Sequence, residues 1–222
     1  MPPDDSRGLL SIALHYEGRE VPLPEPSTGL SIDLAAALAQ RRSTRKFDPA
    51  RLTPANVANL VSHAIGLPVY GYSPRRGVER RRHFPSVAAR SSVECYLCVA
   101  PGAPLGAGLF HCGADCRSIT LLAPHDEDLA ATLAAAIGNE EAPRKAPALL
   151  IFTYLPERLQ VFAPYAEGYA RLEAGHAAQN VLLVASALGM AACPIGGDLA
   201  RPARFLPGYD DRESALYAIA LG

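Results

Sequence analysis

Residues 40–54 read QRRSTRKFDPARLTP. Four arginines and a lysine crowd around Ser43, Thr44 and Phe47, and the run passes through Asp48-Pro49 to Thr53-Pro54. The chain around it is nearly neutral, with 222 residues and a formal net charge of −1. So much positive charge in one place needs a local reason. Cations at a helix C-terminus are favoured by the helix dipole, which accounts for one or two arginines. It does not account for Arg41-Arg42-Ser43-x-Arg45 followed by the apolar Phe47. Guanidinium forks and a hydroxyl converging within one turn suit a phosphate dianion. Each charge-assisted hydrogen bond adds about 1.5–3 kcal/mol, so three could anchor a cofactor tail.

Helical patterns flank the basic run. SIDLAAALAQRR, from residue 31, carries an apolar stripe of Ile32, Leu34, Ala35, Leu38 and Ala39, with Ser31 as expected N-cap and Asp33 in the first turn. If that helix continues, Arg41 and Arg45 share a face. The next helix is bounded by Thr53 as N-cap, Pro54 at its first position and Gly66 past its end. Upstream, residues 1–30 are proline-rich and read as an extended arm.

Downstream, helices and strands mix. GYSPRRGVERRRHFPS (71–86) reads as loop, and its arginines 75–82 as a solvated charge run rather than a nucleic-acid surface. VECYLCVA (93–100) and APALLIFTYL (146–155) are expected buried strands, and GLFHC with RSITLLA forms a hairpin across Gly113–Asp115. DEDLAATLAAAIG is a helix with Asp126 near its start and Gly138 at its end. YARLEAGHAAQNVLLVASALG is a long, mostly buried helix closed by Gly189, and ALYAIALG (215–222) is a last strand. Without regular βαβ alternation, the expected class is α+β, with one domain spanning 31–222.

Composition narrows the function. The charge balance gives no global attraction to nucleic acid or anionic membrane. No stretch reaches about 18 apolar residues. The N-terminus has no signal-peptide pattern, and five cysteines in such a chain point to reduced thiols and a cytoplasmic location. The P-loop, G-x-G-x-x-G, G-x-S-x-G and H-E-x-x-H motifs are absent. Cys95, Cys98, His111, Cys112 and Cys116 raise the question of zinc. Residues three apart on a strand point to opposite faces, so buried thiols and no metal are the expectation. His176, alone on the long helix, reads as a hydrogen-bonded core residue.

Two further stretches complete a pattern: RRHFPS leading into VECYLCVA, and AGHAAQNVLLVASALGMAACPIGGD ending in a Pro-x-Gly-Gly turn. In this order behind the arginine motif, they resemble the FMN-dependent nitroreductase family, most closely its SagB-type (azoline) dehydrogenases, from about residue 31 to the end. The resemblance implies a three-layer α+β sandwich, its central sheet mainly antiparallel and flanked by helices. It also implies a homodimer with FMN at the subunit interface. By position, Arg41, Arg42, Ser43 and Arg45 would bind the phosphate and ribityl chain. Pro85, Ser86 and Ala88 would meet the flavin from the partner subunit, and Pro194, Ile195, Gly196 and Gly197 would line the ring. The implied activity is hydride transfer through flavin N5. It would run either from NAD(P)H to a nitroaromatic or quinone, or as SagB-type oxidation of an azoline-like peptide heterocycle. The alternative is a catalytically degenerate flavin-binding or scaffold subunit. Two departures bear on that choice. Ala88 stands where the SagB-type pattern has glycine. The lysine–tyrosine pair of that branch reads Pro164-Tyr165, leaving Tyr165 as the candidate acid/base or substrate-orienting group.

Overall fold

The structure, a computed structural model, describes residues 16–30, 32–66, 69–73, 77–114, 116–138, 141–195, 201–207 and 212–222. In chain order its elements are β1 (Arg19–Pro22), α1 (Leu34–Gln40), α2 (Pro54–Ile65), β2 (Val69–Ser73) and β3 (Gly77–Arg81), then β4 (Val93–Val99), β5 (Gly108–Cys112) and β6 (Ser118–Ala123). After these come α3 (Glu127–Ile137), α4 (Ala142–Lys145), β7 (Ala148–Tyr154), α5 (Ala166–Ala187), β8 (Ala192–Ile195), β9 (Arg201–Pro202) and β10 (Ser214–Leu221). The main sheet runs β1-β6-β5-β4-β7-β10-β8, with β9 also on β10, and every pairing is antiparallel. β1, from the proline-rich arm, is the edge strand on β6.

Strand alternation divides the core into two layers. From β4, Val93, Cys95, Leu97 and Val99 face the layer covered by α2 and α5. Tyr96 and Cys98 face the layer covered by α3 and residues 203–206. β7 alternates the same way, with Leu150 and Phe152 on one side and Leu149 and Ile151 on the other. The result is the expected three-layer α+β sandwich. On α5, the buried face is mostly alanine (Ala170, Ala174, Ala177, Ala178, Ala185), which lets the helix lie close to the sheet. Cys95 and Cys98 fall on opposite sides of β4, as the strand reading requires.

Helix ends follow their caps. Thr53 Oγ1 accepts the Asn56 N–H at 3.1 Å and Asp126 Oδ1 the Leu129 N–H at 2.7 Å, while Gly138 ends α3 in the left-handed region at φ 62°. Four expectations need correction. The cap of α1 is Asp33, whose Oδ1 accepts the Ala36 N–H at 2.8 Å; Ser31 lies outside the described residues. Helix α1 ends at Gln40, so Arg41 and Arg45 do not share a helical face. The stretch expected to be loop forms the two-stranded sheet β2-β3, because main-chain pairing needs no apolar alternation. Finally, α5 is buried on one face only, and His176 lies on its exposed face.

One buried polar network crosses the α3-side layer. Glu94 receives Arg158, from the turn after β7, at 2.5 Å and His111 at 2.8 Å. Next to it, Glu213 accepts Tyr16 at 2.9 Å, Tyr96 at 2.8 Å, and the Thr153 hydroxyl. Burial alone would raise the Glu94 pKa, but the His111 hydrogen bond and the Arg158 charge prevail and hold it at about 2. The folded carboxyl is therefore more acidic than in the unfolded chain. Its stabilisation is present above the ordinary value of 4.5 and is lost as the pH falls toward 2. Glu94→Gln should cost about 3 kcal/mol at neutral pH. Denaturant unfolding at several pH values should show its gap to wild type narrowing between about pH 4.5 and pH 2. A gap independent of pH would contradict this.

Candidate functional site

Once α1 stops at Gln40, the chain runs without regular secondary structure through residues 41–48. This segment is fastened to the sheet by the Thr44 N–H, which donates to the Ala192 carbonyl at 3.1 Å. Ala192 opens β8, the edge strand that runs through Pro194 and Ile195. Ala191 and Gly222 exchange hydrogen bonds of 2.6 and 3.0 Å, closing the same corner. Phe47 packs there: a Cβ on Gly222 would stand 3.0 Å from the Phe47 Cβ. The half-buried phenylalanine in the basic run is therefore its anchor, and the charges beside it are left at the surface.

The cations then separate by role. Arg42 Nη1 donates to the carbonyls of Ala39 at 2.7 Å and Arg41 at 2.9 Å, satisfying the open end of α1. Arg41 is half-buried, while Ser43 and Arg45 are exposed. Among the described residues, neither Arg41 nor Arg45 has an ion-pair or side-chain hydrogen-bond partner. Two guanidiniums without a partner among the described residues thus sit on a segment tied to β8. Pro194 is half-buried and Ile195 buried, whereas Gly196 and Gly197 lie outside the described residues.

Residues 85–92 form the second part. Pro85 and Ala88 are exposed and Ser86 is half-buried. Ala88, Ala89 and Ser91 have φ of 48°, 56° and 51°. The left-handed region costs a non-glycine residue about 1–2 kcal/mol, which explains why a related pattern would place glycine at position 88. Arg90 lies 5.9 Å from the centre of the Phe162 ring, and Phe162 meets Tyr169 edge to face at 5.9 Å. Tyr165 precedes the first turn of α5 and is 69% exposed, so its hydroxyl is available to a ligand.

Tyr165, Tyr169 and Leu172 follow i, i+4, i+7 spacing on α5, and α1, which packs against α5, adds exposed Leu34 and Leu38. This is an exposed apolar face on an otherwise polar surface. Three carboxylates were missed in the sequence: Glu94, Glu173 and Glu213, each under 6% exposed. Their signal was a single acid beside or within an apolar strand or an alanine-rich helix. Glu173 accepts the Ser92 hydroxyl at 3.0 Å and the Val93 N–H at 3.3 Å. Burial pushes its pKa up, and these donors only partly offset that. The cysteine–histidine set does not converge: His111 is held by Glu94, and Cys98 lies on the other side of the sheet from Cys95, Cys112 and Cys116. No helix among the described residues is long and apolar enough to cross a membrane.

Comparison with known proteins agrees with this geometry. The model of the nitroreductase family matches residues 38–222, and the chain belongs to that family. A protein of Methanocaldococcus jannaschii named for its likeness to nitroreductases is 29% identical over 178 residues, covering 80% of this chain and 83% of its own. A solved structure from Ralstonia eutropha, named in the same way, has a TM-score of 0.73 at 24% identity and covers 95% of this chain and 91% of its own. Another, from Desulfovibrio desulfuricans and in complex with FMN, has a TM-score of 0.54 at 22% identity, with 84% and 83% covered.

Proposed function

We propose that this protein is an FMN-dependent oxidoreductase that works as a homodimer. The carrying observation is the hydrogen bond that ties the segment of Arg41 and Arg45, neither of them paired among the described residues, to β8, which contains Pro194 and Ile195. The donor set fits the cofactor: a dianionic tail calls for guanidiniums and a hydroxyl open to a ligand, and the half-buried Arg41 with the exposed Arg45 and Ser43 supply them. Arg42 contributes less directly, since it also serves the end of α1. Pro194, Ile195, Gly196 and Gly197 would line the ring, the paired glycines allowing close approach of the main chain. Bound FMN would supply reversible hydride acceptance.

The exposed apolar face of α1 and α5 supports the dimer, because a second copy would cover it. The partner would then bring its own Pro85, Ser86 and Ala88 segment to the flavin. Tyr165, at the N-terminal end of that face, is assigned to the substrate, as proton donor or orienting group. Substrate is either a nitroaromatic or quinone reduced with NAD(P)H, or an azoline-like heterocycle that is oxidised. The absence of a lysine beside Tyr165 favours the first.

Titration of the apoprotein with FMN tests the clamp. Arg41→Ala should weaken binding by about 2 kcal/mol, roughly thirtyfold, and an unchanged dissociation constant would refute the assignment. In steady-state assays with NADH or NADPH and a quinone, Tyr165→Phe should lower turnover. Full turnover would remove Tyr165 from the mechanism. Flavin binding with no turnover in wild type would instead favour the scaffold reading.

A further inference from the structure

We propose that Glu173 is a positioning residue whose task is to hold the segment 85–88 in the shape it presents to the flavin. The inference rests on the flavin reading above.

A carboxylate buried in the middle of an alanine-rich helix is costly unless it is fully paired. If its role were packing alone, leucine or methionine would fill the space without that cost. Glu173 is 2% exposed, and both hydrogen bonds it accepts come from one place: the Ser92 hydroxyl and the Val93 N–H. It is the fixed point on α5 for the loop between β3 and β4.

That loop does not hold its own shape. Three of its non-glycine residues, Ala88, Ala89 and Ser91, lie in the left-handed region. Strain of this kind persists only where the surroundings over-determine the backbone. Ser91 supplies one end of the restraint. Its N–H donates to Ser86 Oγ at 2.7 Å, its Oγ accepts Arg82 Nε at 2.8 Å, and its carbonyl accepts Arg158 Nη1 at 2.8 Å. Arg158 is itself held by Glu94, so this end is fixed through the sheet. Glu173 supplies the other end, through α5.

The two restraints meet at Ser91 and Ser92. Ser91 gives its N–H to Ser86 Oγ at 2.7 Å, and Glu173 grips the adjoining Ser92 and Val93. Glu173 therefore decides where the end of the loop stands, and through Ser91 where Ser86 stands.

The test compares FMN binding, by quenching of flavin fluorescence, in the full-length protein and three variants. Glu173→Ala should weaken FMN binding about tenfold or more. Glu173→Gln should stay within about threefold of wild type, because its carbonyl can take the Val93 N–H and its amide can donate to the Ser92 hydroxyl. Leu133→Ala, a cavity in α3 on the other face of the sheet, should lower the melting temperature without changing FMN affinity. Wild-type affinity in Glu173→Ala, or an equal loss in Leu133→Ala, would overturn the proposal. If Glu173→Ala does not fold, Ser92→Ala carries the test, with a threefold to tenfold loss expected and an unchanged constant overturning it. Wild type that binds no FMN would instead remove the flavin reading, and this inference with it.

Discussion

One main-chain hydrogen bond, from the Thr44 N–H to the Ala192 carbonyl, fixes the relation on which the functional account depends. It sets the basic segment against the edge strand of the sheet. Phe47 locks the contact by packing at the Gly222 corner. With its backbone held on one side and its apolar residue half-buried, the segment shows the solvent mainly its charges and Ser43. Arg42 turns back to the helix end, while Arg41 and Arg45 remain unpaired among the described residues. The three arginines at 41, 42 and 45, which look redundant as sequence, thus separate into one structural cation and two available ones.

Burial of charge sets the second constraint. Glu94, Glu173 and Glu213 are each removed from water, and each is met by several donors. Such groups are weak stabilisers compared with apolar packing, but they fix one geometry. Here that geometry links elements far apart in sequence. Glu213 joins Tyr16 of the arm to β4 and β7, and Glu94 joins β5 to the turn at Arg158. Glu173 joins α5 to the loop before β4. Two of the three converge on residues 86–92, the most strained segment described. Rigidity is being supplied where the backbone alone would relax.

Much of the architecture was legible because local chemistry and tertiary packing agree there. Thr53-Pro54 and Gly66, and Asp126 with Gly138, bound their helices as caps should. Alternation along 93–99 placed Cys95 and Cys98 on opposite faces, and the short turn after Cys112 gave the hairpin. What escaped was decided at longer range. Residues 77–81 carry three charged side chains among five residues and give no apolar alternation, yet pair by main chain. The start of α1 turned on which of two neighbouring polar residues caps it. The end of α1 turned on Thr44 finding a carbonyl nearly 150 residues away, which no local pattern encodes. His176 read as core because its neighbours are small and apolar, but alanine and glycine suit an exposed helix–helix face equally well. Of the expected flavin residues, 41–45 lie on a segment tied through Thr44 to the strand that holds 194–195, and 85–88 have a restrained shape. Gly196 and Gly197 lie outside the described residues.

The central claim is that the phosphate of a flavin, and not only its ring, is bound at the Arg41–Arg45 segment. Phosphorus NMR of FMN during titration with the apoprotein addresses this directly, because the nucleus reports on the dianion alone. The account predicts a separate bound resonance that grows to stoichiometry and disappears when Arg41 and Arg45 are both replaced by alanine. A resonance that keeps its free position while the flavin absorbance shows the ring to be bound would contradict it.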